Sequence, residues 1–92
     1  MNDTEQATQT ITLIRIGDIR RQTGLGRQTI YRQAKAGLLP TWIKIGTRAS
    51  AWLKNEIDAV IKARAEGKSN DEIRDLVSKL MAERKQTQFS GV

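Results

Sequence analysis

Gly24-Leu25-Gly26-Arg27-Gln28-Thr29-Ile30-Tyr31-Arg32-Gln33-Ala34-Lys35-Ala36-Gly37 is the stretch that decides the fold. Ile30, Ala34 and, just beyond it, Leu38 recur at intervals of one helical turn and form an apolar stripe. Gln28, Tyr31, Arg32 and Lys35 fall together on a different face of the same helix. Gly26 suits the N-cap, and Gly37 suits the terminating position, where a residue with positive φ is often required. Upstream, Gly17-Asp18 opens a short helical stretch through Thr23, with Asp18 near the positive end of its dipole and Gly24 closing it. Two helices joined by Gly24-Leu25-Gly26 predict a helix-turn-helix unit, with Leu25 as the inward-pointing turn residue.

Working outward, Ile11-Thr12-Leu13-Ile14-Arg15-Ile16 is β-branched with partial alternation and predicts a short strand or an extended lead-in. Residues 1–10 lack apolar periodicity and predict a disordered tail. Pro40 ends the helical unit and biases Leu39 toward extended geometry. Trp42-Ile43-Lys44-Ile45, Gly46-Thr47-Arg48 and Ala49-Ser50-Ala51-Trp52 then read as strand, turn, strand. A lone hairpin is marginal in water, so Trp52, Ile43 and Ile45 are expected to lean on the helices. From Lys54 to Glu66, Ile57, Val60, Ile61 and Ala65 form a helical stripe ending at Gly67. Ser69-Asn70-Asp71-Glu72 is a capping box, and Ile73, Leu76, Val77, Leu80 and Met81 follow it at helical spacing. Helical order is expected to fray after about Lys85. The chain thus divides into a tail (1–10), a folded domain (11–66), a helical extension (67–85) and a second tail (86–92). The class is mainly α with a small β-hairpin and a C-terminal amphipathic helix.

The composition excludes much. A 92-residue chain buries only about 60–65% of its unfolded surface, too little for a catalytic cleft between subdomains. It has no cysteine and no histidine, so disulfides, thiolate zinc sites and histidine acid–base chemistry are absent. No apolar run approaches the roughly 20 residues of a membrane span. The polar start, Met1-Asn2-Asp3-Thr4-Glu5-Gln6, is unlike a secretory signal. Glu56, Asp58, Glu66, Asp71, Glu72, Asp75 and Glu83 lie among Lys and Arg on helical surfaces and read as solvated faces rather than a convergent acid pair. No cofactor loop or metal constellation is present. A soluble, cytoplasmic, non-enzymatic protein is expected.

Charge supplies the functional direction. From Arg15 to Lys54 nine cations face one anion, Asp18, whereas residues 55–92 carry seven of each sign. Such segregation marks a footprint for a polyanion. A helix fits the major groove of double-stranded DNA, and the face bearing Arg27, Gln28, Tyr31, Arg32 and Lys35 carries the chemistry for reading it. Arginine pairs with guanine or grips phosphate, and glutamine addresses adenine with both ends of its amide. Tyr31 offers a ring to a thymine methyl and a hydroxyl to phosphate, while Lys35 meets the backbone. Lys44 and Arg48 stand in or beside the hairpin turn, within reach of phosphate or the minor groove.

Leu13 to Ile61 resembles the AlpA-type regulators of prophages and integrated elements, relatives of the MerR-like and excisionase winged folds. The resemblance is carried by Thr23-Gly24-Leu25, Arg27-Gln28-Thr29-Ile30-Tyr31-Arg32, Gly37-Leu38-Leu39-Pro40, Ile43 through Trp52, and Glu56-Ile57-Asp58. It implies a winged helix-turn-helix that binds double-stranded DNA, with Arg27, Gln28, Tyr31 and Arg32 at recognition positions and Arg48 as the wing arginine. Gly26 stands where serine is common, Trp42 where a second proline is usual, and Val60 where tryptophan is common. The helix from Asn70 extends beyond the usual compact domain.

Three functions fit these features. The first is a transcriptional regulator of a mobile element, and the second an excisionase acting at attachment sites with the same residues. The third is a protein-binding adaptor, such as an antirepressor, using the Ile73 to Met81 stripe. That stripe either enlarges the core or forms a homodimer seam through Ile73, Leu76, Val77 and Leu80.

Overall fold

The structure is a computed structural model describing residues 11–90. The expected tail at 1–10 and the last two residues lie outside the described residues. The elements run β1 (Leu13–Ile14), α1 (Ile16–Thr23), α2 (Arg27–Lys35), β2 (Ile43–Lys44), β3 (Ser50–Leu53), α3 (Lys54–Ala65) and α4 (Asn70–Ser90). The protein is mainly helical around a small antiparallel sheet.

Helix α1 starts where the Asp18 carboxylate accepts the Arg15 backbone N–H at 3.1 Å. It ends at Gly24, whose φ of 76° closes the last turn by donating to the Arg20 carbonyl. Thr23 shapes the exit: its hydroxyl donates to the Ile19 carbonyl at 2.7 Å and accepts the Leu25 N–H at 3.1 Å. Leu25 is thereby turned toward the core, as expected of the turn residue. Helix α2 buries Ile30 and Ala34, with Leu38 half-buried beyond its end.

The expected hairpin forms, closed by Ile45 N–H donating to the Ala49 carbonyl at 2.9 Å. It is not alone. The lead-in β1 pairs with β3, Leu13 opposite Leu53 and Ile14 opposite Trp52, giving strand order β1-β3-β2. Of the three residues expected to lean on the helices, Trp52 does so in the core, whereas Ile43 and Ile45 do not join it. Ile43 lies opposite Ala51, so alternation puts Ile43 and Ile45 on the face away from Trp52, and Ile45 is 45% exposed. Support for the hairpin comes from β1 and from Trp52, which is fully buried beside Ile14.

The core cluster runs from Ile14, Ile19 and Ile30 through Trp52, Ile57 and Val60 to Ile73 and Val77. One cluster therefore spans the expected domain and its extension. In α3 it is Ala63, not Ala65, that is buried, because α4 packs over the Val60–Ala63 side. The Ser69–Glu72 capping box forms in both directions, at 2.8 and 3.2 Å. Helical backbone continues to Ser90, past the expected fraying point.

Glu56 departs from the expected solvated face. It is buried and paired with Arg84, which arrives from α4. The sequence neighbours of Glu56 offered no partner at helical spacing; a buried carboxylate needs one, and the chain supplies it from 28 residues away. Among the described residues, no helix is long and apolar enough to cross a membrane.

Candidate nucleic-acid interface

Helix α2 presents the candidate surface. Burying Ile30 and Ala34 inward turns Arg27, Gln28, Arg32 and Lys35 outward, and all four are exposed. Tyr31 sits differently. It is half-buried, with its ring 4.9 Å from that of Trp42 in an edge-on arrangement and 5.7 Å from that of Trp52. Trp42 and Trp52 are themselves 6.2 Å apart, so three aromatic rings form one packed group. Both tryptophans thus serve packing. The Arg27 guanidinium lies 5.6 Å over the Tyr31 ring, holding that side chain along the exposed face. Tyr31 is therefore shared between the aromatic group and the exposed face.

The N-terminus of α2 is open. Gly26 provides the N-cap with extended backbone and no side-chain hydrogen bond, and the first helical bond runs from Ile30 N–H to the Gly26 carbonyl at 3.0 Å. The first-turn amides, which have no partner within the helix, receive no side-chain cap from Gly26. Beside this end a shallow depression is lined by Gly17, Arg20, Arg21, Gly24, Leu25 and Gly26. Arg20 was not among the expected site residues. Its signal was present in the sequence: Arg21 has Asp18 three residues away and pairs with it, whereas Arg20 has no acid at helical spacing.

Lys44 lies on β2, and Arg48 lies in the turn between β2 and β3; both are exposed. Lys44 is directly opposite Ser50, on the same face of the sheet as Trp52 by alternation. The two cations therefore stand on the hairpin that follows α2, and the Tyr31–Trp42–Trp52 group packs between that hairpin and the helix.

Among the described residues, ion pairs engage Arg21, Lys54, Lys62, Arg74 and Arg84. Arg27, Arg32, Lys35, Lys44 and Arg48 have no carboxylate partner within that set. Cations left without anions at neighbouring positions keep their full attraction for an external polyanion. No group of acidic side chains among the described residues is arranged to hold a metal ion.

The face suggested as a homodimer seam is partly spent inside the chain. Ile73 is fully buried and Val77 is 5% exposed, both within the core. Leu76 and Leu80 are half-buried against the same cluster.

No solved structure matches the chain. It is 31% identical over 55 residues to the uncharacterized protein ORF88 of Enterobacteria phage P4, covering 60% of this chain. The aligned region spans 62% of that relative's length. The family described as prophage CP4-57 regulatory protein (AlpA) matches residues 12–65, from the lead-in to β1 through the end of α3. That stretch holds the helix pair, the hairpin and every exposed cation of the candidate surface, and through it the chain belongs to the AlpA family of prophage regulatory proteins.

Proposed function

We propose that the chain is a sequence-specific, double-stranded DNA-binding transcriptional regulator of a prophage or integrative element. Helix α2 enters the major groove, where Gln28 and Arg32 read base edges and Arg27, Tyr31 and Lys35 flank them on base or phosphate. The β2–β3 hairpin acts as the wing, with Lys44 and Arg48 on phosphate or in the minor groove. One observation carries this reading: the outward face of α2 bears Arg27, Gln28, Arg32 and Lys35, all exposed, and its cations have no ion-pair partner among the described residues. The open N-terminus of α2 adds backbone donors for a phosphate on the same side. A cytoplasmic, nucleoid-associated location follows from this role.

Burial of Ile73 and Val77 counts against the adaptor alternative, whose binding stripe needed those residues exposed. The test is duplex affinity against salt concentration. With about five phosphate contacts, log K falls against log[salt] with a slope of about −4 to −5; a flat dependence would overturn the reading. Mapping bound sites in the host then assigns the role. Promoter-proximal sites support regulation, and phased sites within an attachment region would make the protein an excisionase.

A further inference from the structure

The connector from α2 to β2 is held by its carbonyl groups from outside. Arg74 Nε, on α4, donates to the Ala36 carbonyl at 3.1 Å. The Trp52 indole N–H donates to the Pro40 carbonyl at 3.0 Å. Arg84 Nη2, also on α4, donates to the Thr41 carbonyl at 2.8 Å. The same guanidinium grips Glu56 near the start of α3, Nη2 at 2.7 Å and Nε at 2.9 Å from its oxygens. Thr41 further donates its hydroxyl to Met81 Sδ at 3.6 Å.

The stem of Arg74 also lies over Gly37, the positive-φ residue at which the connector turns. A Cβ placed on Gly37 would stand 3.8 Å from Arg74 Cγ. Helix α4 thus fastens both ends of the segment joining the proposed recognition helix to the proposed wing. Its own position is fixed, because Ile73 and Val77 are buried in the common core. All of α4 lies beyond residues 12–65, the stretch matched by the family.

We infer that Arg74 and Arg84 are positioning residues for DNA recognition, setting the wing relative to α2 by pinning Ala36 and Thr41. The inference rests on the DNA-binding reading above for its functional consequence. At position 84 the planar guanidinium satisfies Glu56 and the Thr41 carbonyl at once, which a single ammonium on a flexible stem does not reproduce.

The test uses the full chain with Arg74→Met and Arg84→Lys combined. Methionine keeps an unbranched stem over Gly37 without the donor, and lysine keeps a charge opposite Glu56 without the fork. Residual dipolar couplings on the DNA-free protein report the angle between α2 and the β2–β3 hairpin. The variant is expected to change that angle while each element stays internally intact; an unchanged angle overturns the inference. A double-mutant cycle on duplex DNA gives the functional readout. Arg48→Ala is expected to weaken binding about tenfold in the wild-type background and less than about threefold in the double variant, with the wing already displaced. Gln28→Ala should cost the same factor in both backgrounds. Equal Arg48→Ala losses in the two backgrounds overturn the positioning role. Should the double variant lose cooperative unfolding, Arg74→Met alone, at a half-exposed side chain, is judged by the same two measurements. If the wild type binds no duplex, the DNA-binding reading fails, and the couplings alone decide whether α4 sets the angle.

Discussion

Arg84 Nη2 lies 2.7 Å from Glu56 Oε1, in an ion pair whose side chains are only 15% and 3% exposed. The pair ties the first turn of α3 to the far part of α4. Its worth lies less in Coulomb attraction than in what happens when one partner is removed, since a buried charge left alone keeps its full desolvation cost.

Arg84→Met should therefore destabilise the protein by about 3–5 kcal/mol, because it strands the Glu56 carboxylate. Combining it with Glu56→Gln should recover much of that loss, as no charge then remains buried. Urea denaturation of the two variants checks this. A double variant as unstable as Arg84→Met alone would mean that packing, and not the unpaired carboxylate, dominates.

The exposed face of α2 and the hairpin cations should behave differently on DNA. Gln28→Ala or Arg32→Ala should cost about 1–3 kcal/mol on the preferred site and less on random duplex. Lys35→Ala and Arg48→Ala should weaken binding to all sequences alike and flatten the salt slope by about one unit each. Titrations at several salt concentrations separate the groups, and a specificity change in Arg48→Ala would put the wing on bases or groove shape.

Tyr31 belongs to both the aromatic group and the candidate surface, and two substitutions divide the roles. Tyr31→Phe keeps the ring against Trp42 and Trp52, so stability should hold within about 0.5 kcal/mol, while loss of the hydroxyl weakens duplex binding by about 1 kcal/mol. Tyr31→Ala opens the group and should cost on the order of 2 kcal/mol of stability. Thermal denaturation beside binding measurements tests the division. Unaltered binding by the phenylalanine variant would confine Tyr31 to packing.

What the sequence made legible was local. The Gly24-Leu25-Gly26 turn, the Ile30–Ala34 stripe and the Ser69–Glu72 box each rest on residues a few positions apart, where helical spacing decides the outcome. The family match over residues 12–65 agrees with the resemblance seen there. Pairings across long separations were not legible. Leu13 opposite Leu53 and Glu56 with Arg84 depend on how the chain returns on itself, which no local periodicity encodes. Ile45 shows the intermediate case: alternation placed it correctly relative to Ile43, but which face the core would occupy was set by Trp52 and Ile14. The half-burial of Tyr31 has the same origin, since its neighbours Trp42 and Trp52 come from the hairpin.

Acid should loosen α4 from its N-terminal end. The Glu72 carboxyl sits below its ordinary value because it accepts the Ser69 backbone N–H, with the Ser69 side chain and the charge of Lys68 acting in the same direction. A carboxyl with a depressed folded pKa contributes stability above its unfolded pKa and loses it as pH falls through the folded one. The contribution is thus intact at neutral pH, begins to fade as pH drops below about 4.5, and is gone once the folded carboxyl is protonated. Amide exchange at Ser69 and Glu72, followed from pH 6 to about pH 3, should show protection falling across that window. Glu72→Gln keeps an acceptor for the Ser69 N–H but does not titrate, so its first turn should show no such acid step. Ser69→Ala removes the hydroxyl that accepts the Glu72 N–H and should cost about 1 kcal/mol at neutral pH; it should also shrink the acid step, since the Ser69 side chain helps depress the Glu72 carboxyl. An acid step of equal size in Glu72→Gln would assign the loss to another carboxylate and leave the capping box without a part in it.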